Sequence, residues 1–184
     1  MFSEKNNAIR NIFFEFLKPF DTFKCIYIKY NCKEMVKIEE AIQQKEFKDP
    51  FNKAVVNLLY THSYLVTSQN ALFKPYGISP EQYNVLRILR GQNGVPTTVS
   101  SIQDRMLNKM SNASRLVEKL KVKGLVKRSE CPNDRRQVDV LITEKGLELL
   151  AELQIRVEKG NIDFVHLNLD EVNKLNELLD KLRG

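Results

Sequence analysis

No apolar run in this chain approaches the roughly 20 residues needed to cross a bilayer. The greasiest stretch, IRNIFFEFLKPF, is interrupted by Glu15, Lys18 and Pro19. No small-residue cleavage site follows it, so it does not read as a signal peptide. Histidine is nearly missing: His62 and His166 stand far apart in sequence. The three cysteines, Cys25, Cys32 and Cys131, are odd in number and lack metal-ligand spacing. That argues against a disulfide framework and a zinc site, and suits a reducing cytoplasm. There is no Gly-rich phosphate loop and no Gly-x-Ser-x-Gly elbow. Thr143 and Glu144 read as a helix cap rather than as chemistry. These absences leave no catalytic residue, metal, cofactor or membrane partner to expect, and an enzyme reading finds no support.

What is present is enough for one core, or for one core shared between two subunits: 184 residues, 42% of them hydrophobic. The net charge is +6, which favours anionic partners without naming one. Its distribution says more. From Arg105 to Arg136 there are ten Lys/Arg against three Asp/Glu, a balance of +7 that exceeds the charge of the whole chain.

Residues 1–34 differ from the rest. They hold six of the ten phenylalanines and show neither a capping signal nor a clean period. Two readings stand: a translated upstream leader with Met35 as the natural start, or an amphipathic segment that packs on a partner. Residues 35–76 read as an N-terminal helical region. Within it Val55, Leu58, Leu59, His62, Leu65, Val66 and Leu72 fall near one face, and Gly77 closes the helix. SPEQYNVLRILRG opens a second helix, with Ser79 as N-cap, Pro80 at the first helical position and Gln82 completing a capping box. Tyr83, Leu86 and Ile88 or Leu89 give it a buried face. TTVSSIQDRM predicts a short helix with Val99, Ile102 and Met106 inward. SNASRLVEKLKVKG predicts the next, capped by Ser111, striped by Leu116, Val117 and Leu120, and ended by Gly124. The tight connection from Leu107 to Met110 makes the two a helix-turn-helix signature.

LVKRSE and QVDVLI then alternate around CPNDRR as a β-hairpin. Thr143 caps a long helix through TEKGLELLAELQIRVEKGNIDFVHL. NLDEVNKLNELLDKLRG carries a capping box from Asn168 to Glu171. Its stripe is Leu169, Val172, Leu175, Leu178, Leu179 and Leu182. The predicted fold is mainly α with a small β-hairpin wing. A winged helix-turn-helix domain spans 77–146, and dimerisation helices occupy 147–184 together with part of 35–76.

A basic segment built this way suits double-stranded DNA, whose dense phosphate charge drives much of the binding. Off the apolar stripe of 111–123 stand Ser111, Asn112, Ser114, Arg115 and Lys119. Arg115 fits guanine and Asn112 adenine in the major groove, while Lys119 fits phosphate. Arg135 and Arg136 follow a Pro-Asn-Asp turn at the hairpin tip. A narrow minor groove beside the recognition helix favours guanidinium there, with Asp134 holding the tip in shape. The competing reading makes all of these solvated surface residues.

These pieces together resemble the MarR family of bacterial transcription regulators. The motifs that carry the resemblance are Ser114-Arg115-Leu116 with Leu120, then Lys123-Gly124-Leu125-Val126-Lys127-Arg128. Asp134-Arg135-Arg136 and Ile142-Thr143-Glu144-Lys145-Gly146 follow. It covers about residues 50–184. Each piece is weak, and their order and spacing are specific. The resemblance implies an obligate homodimer on pseudo-palindromic operators, often a repressor, with the terminal helices interlocked at a twofold axis. It also implies release by a small phenolic or aromatic anion, for which Tyr60, His62, Tyr64 and Tyr83 are the candidate contacts. The rival for those four is ordinary core. Peroxide-sensing relatives carry a cysteine near the start of the first core helix; residues 50–66 here have none, and Cys131 sits at the wing instead. Two alternatives remain open: a winged-helix module that binds a protein and reads no operator, and a DNA-binding regulator with no effector.

Overall fold

The computed structural model describes residues 36–131, 134–160 and 167–184, with the side chains of 130–137 and 159–160 outside that description. The two readings of residues 1–34 therefore fall outside the described residues, as do Cys25, Cys32 and His166. The chain divides into two compact units, one ending at Leu59 and one running from Tyr60 to Gly184. The division falls inside the long helix α2, Pro50–Phe73.

In the first unit, α1 (Ile38–Ala41) buries Ile38. Glu39 pairs with Lys53 at 2.6 Å, and this hydrogen-bonded ammonium holds the carboxyl below its usual range. Asp49 accepts the N–H groups of Phe51 and Asn52 at 3.0 and 2.9 Å, which occupies donors that the first turn of α2 leaves without helical partners.

In the second unit a 3₁₀ turn, Lys74–Tyr76, follows α2, and Gly77 takes the left-handed conformation (φ 65°) expected of it. Helix α3 (Pro80–Arg90) has the full capping box: Ser79 Oγ accepts from Gln82 N, and the Gln82 side chain accepts from Ser79 N. Its buried face holds Tyr83, Leu86, Ile88 and Leu89, as predicted, and Val85 besides. Strand β1 (Thr97–Thr98), α4 (Val99–Arg105), α5 (Ala113–Val122), β2 (Val126–Cys131), β3 (Asp134–Ile142), α6 (Glu144–Gly160) and α7 (Leu169–Arg183) complete the order. The core joins Leu86, Ile102, Met106, Val117, Leu120, Val140, Leu150 and Leu153, all essentially inaccessible to solvent.

Two local expectations change. The helix expected from Thr97 starts at Val99, because Thr97 and Thr98 pair antiparallel with Val140 and Asp139. The hairpin thereby becomes a three-stranded sheet in the order β1-β3-β2. Thr98 serves both elements: its backbone ends the strand and its Oγ1 accepts from Ser101 N at 3.1 Å. The cap of α5 is Asn112, whose Oδ1 accepts from Arg115 N at 2.9 Å, in place of Ser111. Ser111 N instead donates to the Asn108 carbonyl across the preceding turn.

Helix α6 begins against the end of α5. Gly124 (φ 71°) ends α5, with Leu125 N bonded to the Leu120 carbonyl. Thr143 N donates to the Leu125 carbonyl at 3.1 Å; Thr143 Oγ1 donates to the Gly124 carbonyl at 2.7 Å and accepts from Gly146 N. A Cβ on Gly146 would stand 2.3 Å from the Leu125 carbonyl oxygen and 2.8 Å from Ile142 Cγ1. Further along, Tyr76 Oη donates to Glu152 at 2.9 Å, and Arg90 hydrogen-bonds Gln154. Burial first, and the Glu152 bond second, push the Tyr76 phenol above its usual pKa. No helix among the described residues is long and apolar enough to cross a membrane. Gly146→Ala is expected to destabilise the fold by about 2 kcal/mol or more through this overpacking. Chemical denaturation should show it as a lower midpoint at unchanged slope.

Candidate nucleic-acid interface

The turn between α4 and α5 is wired by side chains. Gln103 Nε2 donates to the Lys109 carbonyl at 3.1 Å, and its Oε1 accepts Ala113 N at 3.0 Å, so one amide spans the turn. Asn84, on α3, accepts Leu107 N at 3.0 Å, and Asn108 accepts Met110 N. Beneath, Ile102, Met106, Ala113 and Val117 are buried. The recognition helix is therefore fixed from below by apolar contact and at its start by hydrogen bonds. Gln103 and Asn84 were not anticipated from the sequence. Their contacts are long-range and leave no periodic trace.

On α5, Asn112, Ser114, Arg115 and Lys119 are exposed, and Ser111 is half-buried. Arg115 and Lys119 are four residues apart and share a face. Among the described residues neither has an ion pair or a side-chain hydrogen bond. Asn112 is engaged: its Oδ1 holds the cap, and bidentate pairing with adenine would need that same oxygen as acceptor. Three other basic residues of the segment hold partners. Lys109 Nζ donates to the Asp104 carbonyl, Lys123 Nζ to the Gly77 carbonyl, and Arg128 pairs with Glu118 at 3.0 Å. These bonds fix where those cations stand without neutralising them, and all three residues are exposed.

Asp134, Arg135 and Arg136 lie on β3, where Cys131 pairs with Asp134 after a break in register between Glu130 and Cys131. The side chains of these wing residues, and the turn residues 132 and 133, lie outside the described residues. The structure thus brings the α5 residues together and places the wing strand, but not the wing arginine side chains.

Tyr60, His62 and Tyr64 stand exposed on α2. Tyr83 does not join them: it is 8% exposed and stacks on Phe73 with centroids 4.7 Å apart. Burial is the leading cause that raises its phenol pKa. Among the described residues no group of three or more His, Cys, Asp or Glu could hold a metal. On α7, Leu169, Leu178 and Leu182 are exposed, Val172, Leu175 and Leu179 half-buried, and none of its residues is buried.

A helix pair with a wired turn, a second helix presenting unpaired cations and a three-stranded wing define a winged helix-turn-helix protein. The comparisons agree. The profile of the MarR family matches residues 76–137. The MarR transcription factor from Planctomyces limnophilus has a crystal structure that is 30% identical, with 73% of this chain and 98% of that one covered and a TM-score of 0.58. The structure of a MarR mutant from Escherichia coli complexed with operator DNA is 25% identical, with 74% of this chain and all of that one covered, at a TM-score of 0.63. The transcriptional repressor MprA of Escherichia coli K12 is 29% identical over 106 residues, which are 56% of this chain and 60% of MprA. The match thus spans less than two thirds of that repressor's length. The chain belongs to the MarR family of transcriptional regulators.

Proposed function

We propose that this protein is a homodimeric repressor, acting in the cytoplasm, that binds a pseudo-palindromic operator in double-stranded DNA. The observation that carries this reading is the pair Arg115 and Lys119. Both stand exposed on a helix whose start and inner face are fixed, and both lack a side-chain partner among the described residues. Fixing the helix lowers the ordering cost of binding. Arg115 reads guanine and Lys119 meets phosphate; Ser111, Asn112 and Ser114 line the helix start against the backbone and base edges. In the wing, Arg135 and Arg136 enter the flanking minor groove and Asp134 shapes the tip. A relative solved on operator DNA supports DNA as the partner.

Dimerisation falls to the segments outside 77–146. A 15-residue helix such as α7 is marginal alone in water. Its exposed Leu169, Leu178 and Leu182 would each gain about 1.5–3 kcal/mol if fully buried. Val172, Leu175 and Leu179 extend the same stripe. A twofold partner covers it and sets two recognition helices about one DNA turn apart. A small phenolic or aromatic anion would act by favouring a dimer in which that spacing is lost. Tyr60, His62 and Tyr64 on α2 are its contacts. Tyr83, buried against Phe73, is not among them.

Fluorescence anisotropy on the DNA upstream of the gene, against a scrambled duplex across a salt series, tests the DNA reading. Arg115→Ala is expected to cost about 1–3 kcal/mol on the matching duplex and to relax specificity, whereas Lys119→Ala weakens both duplexes and lowers the salt slope by about 1. Equal binding to both duplexes by the unaltered protein, here and after selection from random DNA, would favour a protein-binding module. Leu178→Asp is expected to yield monomers in sedimentation, since the dimer would bury an unpaired charge; a persistent dimer places the interface elsewhere. Titrating benzoate or salicylate into the protein–DNA complex is expected to lower the anisotropy, and Tyr64→Ala to blunt that response. A complex indifferent to both anions counts against this effector class.

A further inference from the structure

Glu118 is the sole acidic residue between Ser111 and Gly124. It lies on α5 beside Lys119, which the DNA reading assigns to phosphate. Its carboxylate accepts a hydrogen bond from Arg128 Nη1 at 3.0 Å and stands 3.7 Å from Lys121 Nζ. Arg128 belongs to β2, so the pair ties the recognition helix to the first strand of the wing. Arg128 also lines a shallow cleft with Thr98, Ser100, Ser101 and Ser114, and Asp104 stands in the same lining. Four hydroxyls and a guanidinium together suit a phosphate oxygen, which takes donors from both. Glu118 beside that cleft and Asp104 within it both oppose the approach of a polyanion. The pair is open to water, with 32% of the Arg128 side chain and 48% of the Glu118 side chain exposed. Screening at that exposure leaves it little role in holding the fold.

We propose that Glu118 is a specificity-determining residue: it withholds Arg128 from the phosphates of non-matching DNA and shares it only when α5 is fully seated in its operator. The inference rests on the DNA-binding reading above. Non-specific binding is almost wholly phosphate neutralisation, so one acid and one occupied guanidinium on the contact face weaken it directly. In the seated complex Arg128 has donors to spare, because its fork carries five N–H groups and the carboxylate engages part of them. It can then bridge Glu118 and a phosphate lodged among Thr98, Ser100, Ser101 and Ser114. The carboxylate thus penalises the wrong duplex more than the right one, and specificity is that difference.

The test uses the full chain, a palindromic duplex that it selects from random DNA, and a scramble of that duplex. Glu118→Gln is expected to bind the scramble about tenfold more tightly, with a salt slope steeper by about 1 for each Arg128 released. Binding to the selected duplex should change much less, so the ratio between the two falls. In an Arg128→Gln background the same substitution should leave the ratio unmoved. An unchanged ratio in the single variant overturns the proposal. So does a fall of equal size in the Arg128→Gln background, which would mark a bulk charge effect. A denaturation midpoint near that of the unaltered protein shows that the variants fold. If the unaltered protein selects no duplex, the DNA reading fails and this inference with it; if it discriminates and Glu118→Gln discriminates equally, only this inference fails.

Discussion

Where a side chain on residue 146 would have to stand, the carbonyl of Leu125 already stands. Four residues meet at that point: Gly124 and Leu125 at the end of α5, Thr143 and Gly146 at the start of α6. Thr143 binds both carbonyls, one through its N–H and one through its hydroxyl, and the same hydroxyl caps Gly146. Because β2 leaves this joint and β3 returns to it, the recognition helix, both wing strands and the connector helix share one anchor. A close contact of this kind tolerates little slack, since packed interiors shift between discrete arrangements rather than bend continuously. The end of α5 and the start of α6 therefore move together or not at all.

The joint also governs where charge goes. Lys123 Nζ reaches the Gly77 carbonyl and Lys145 Nζ the Lys123 carbonyl, so two ammonium groups serve C-terminal carbonyls that helices leave unsatisfied. These cations hold backbone while keeping their charge at the surface. The sequence concentrates positive charge between Arg105 and Arg136, yet the structure sorts it by use. Lys109, Lys123 and Arg128 are tied down, while Arg115 and Lys119 project from the one helix whose start is fixed by Gln103 and Asn84.

Helix ends were the most legible feature of the sequence because their signals are local. Ser79 with Gln82 and Asn168 with Glu171 close the predicted boxes, and Gly77 and Gly124 take the left-handed conformation their positions required. The strand at Thr97–Thr98 was not legible, since a two-residue strand exists only through the partner it finds, here Val140 and Asp139. Ser111 and Asn112 are adjacent and both good caps, so the choice between them rests on the turn, where Ser111 N is already committed to Asn108. Periodicity placed Tyr83 on an inward face but could not give its depth behind Phe73. The hydroxyl-lined cleft beside Arg128 draws on three separate elements, and no single window of sequence contains it.

One consequence follows for how such a protein could be switched. Among the described residues α2, at Val55, Leu58 and Leu59, and α7, at Leu169, Leu178 and Leu182, leave apolar surface uncovered, as do Leu107, Met110 and Val122 around α5. Helix α5 is held at its N-terminal turn by Gln103 and at its C-terminal end by the Leu125 joint. Helix α6 is the element that leads from that joint, and it is fastened to the rest of its unit by more than packing. Leu150 and Leu153 are fully buried, Glu152 holds the Tyr76 hydroxyl, Arg156 lies 5.4 Å from the Tyr76 ring centroid, and Gln154 binds Arg90. Rotation of α6 would strain all of these along with the Gly146 contact. Displacing α6 together with α3 and α5 as one body would leave them intact. The bonding pattern favours the second motion, in which α3, α5 and α6 keep their internal register.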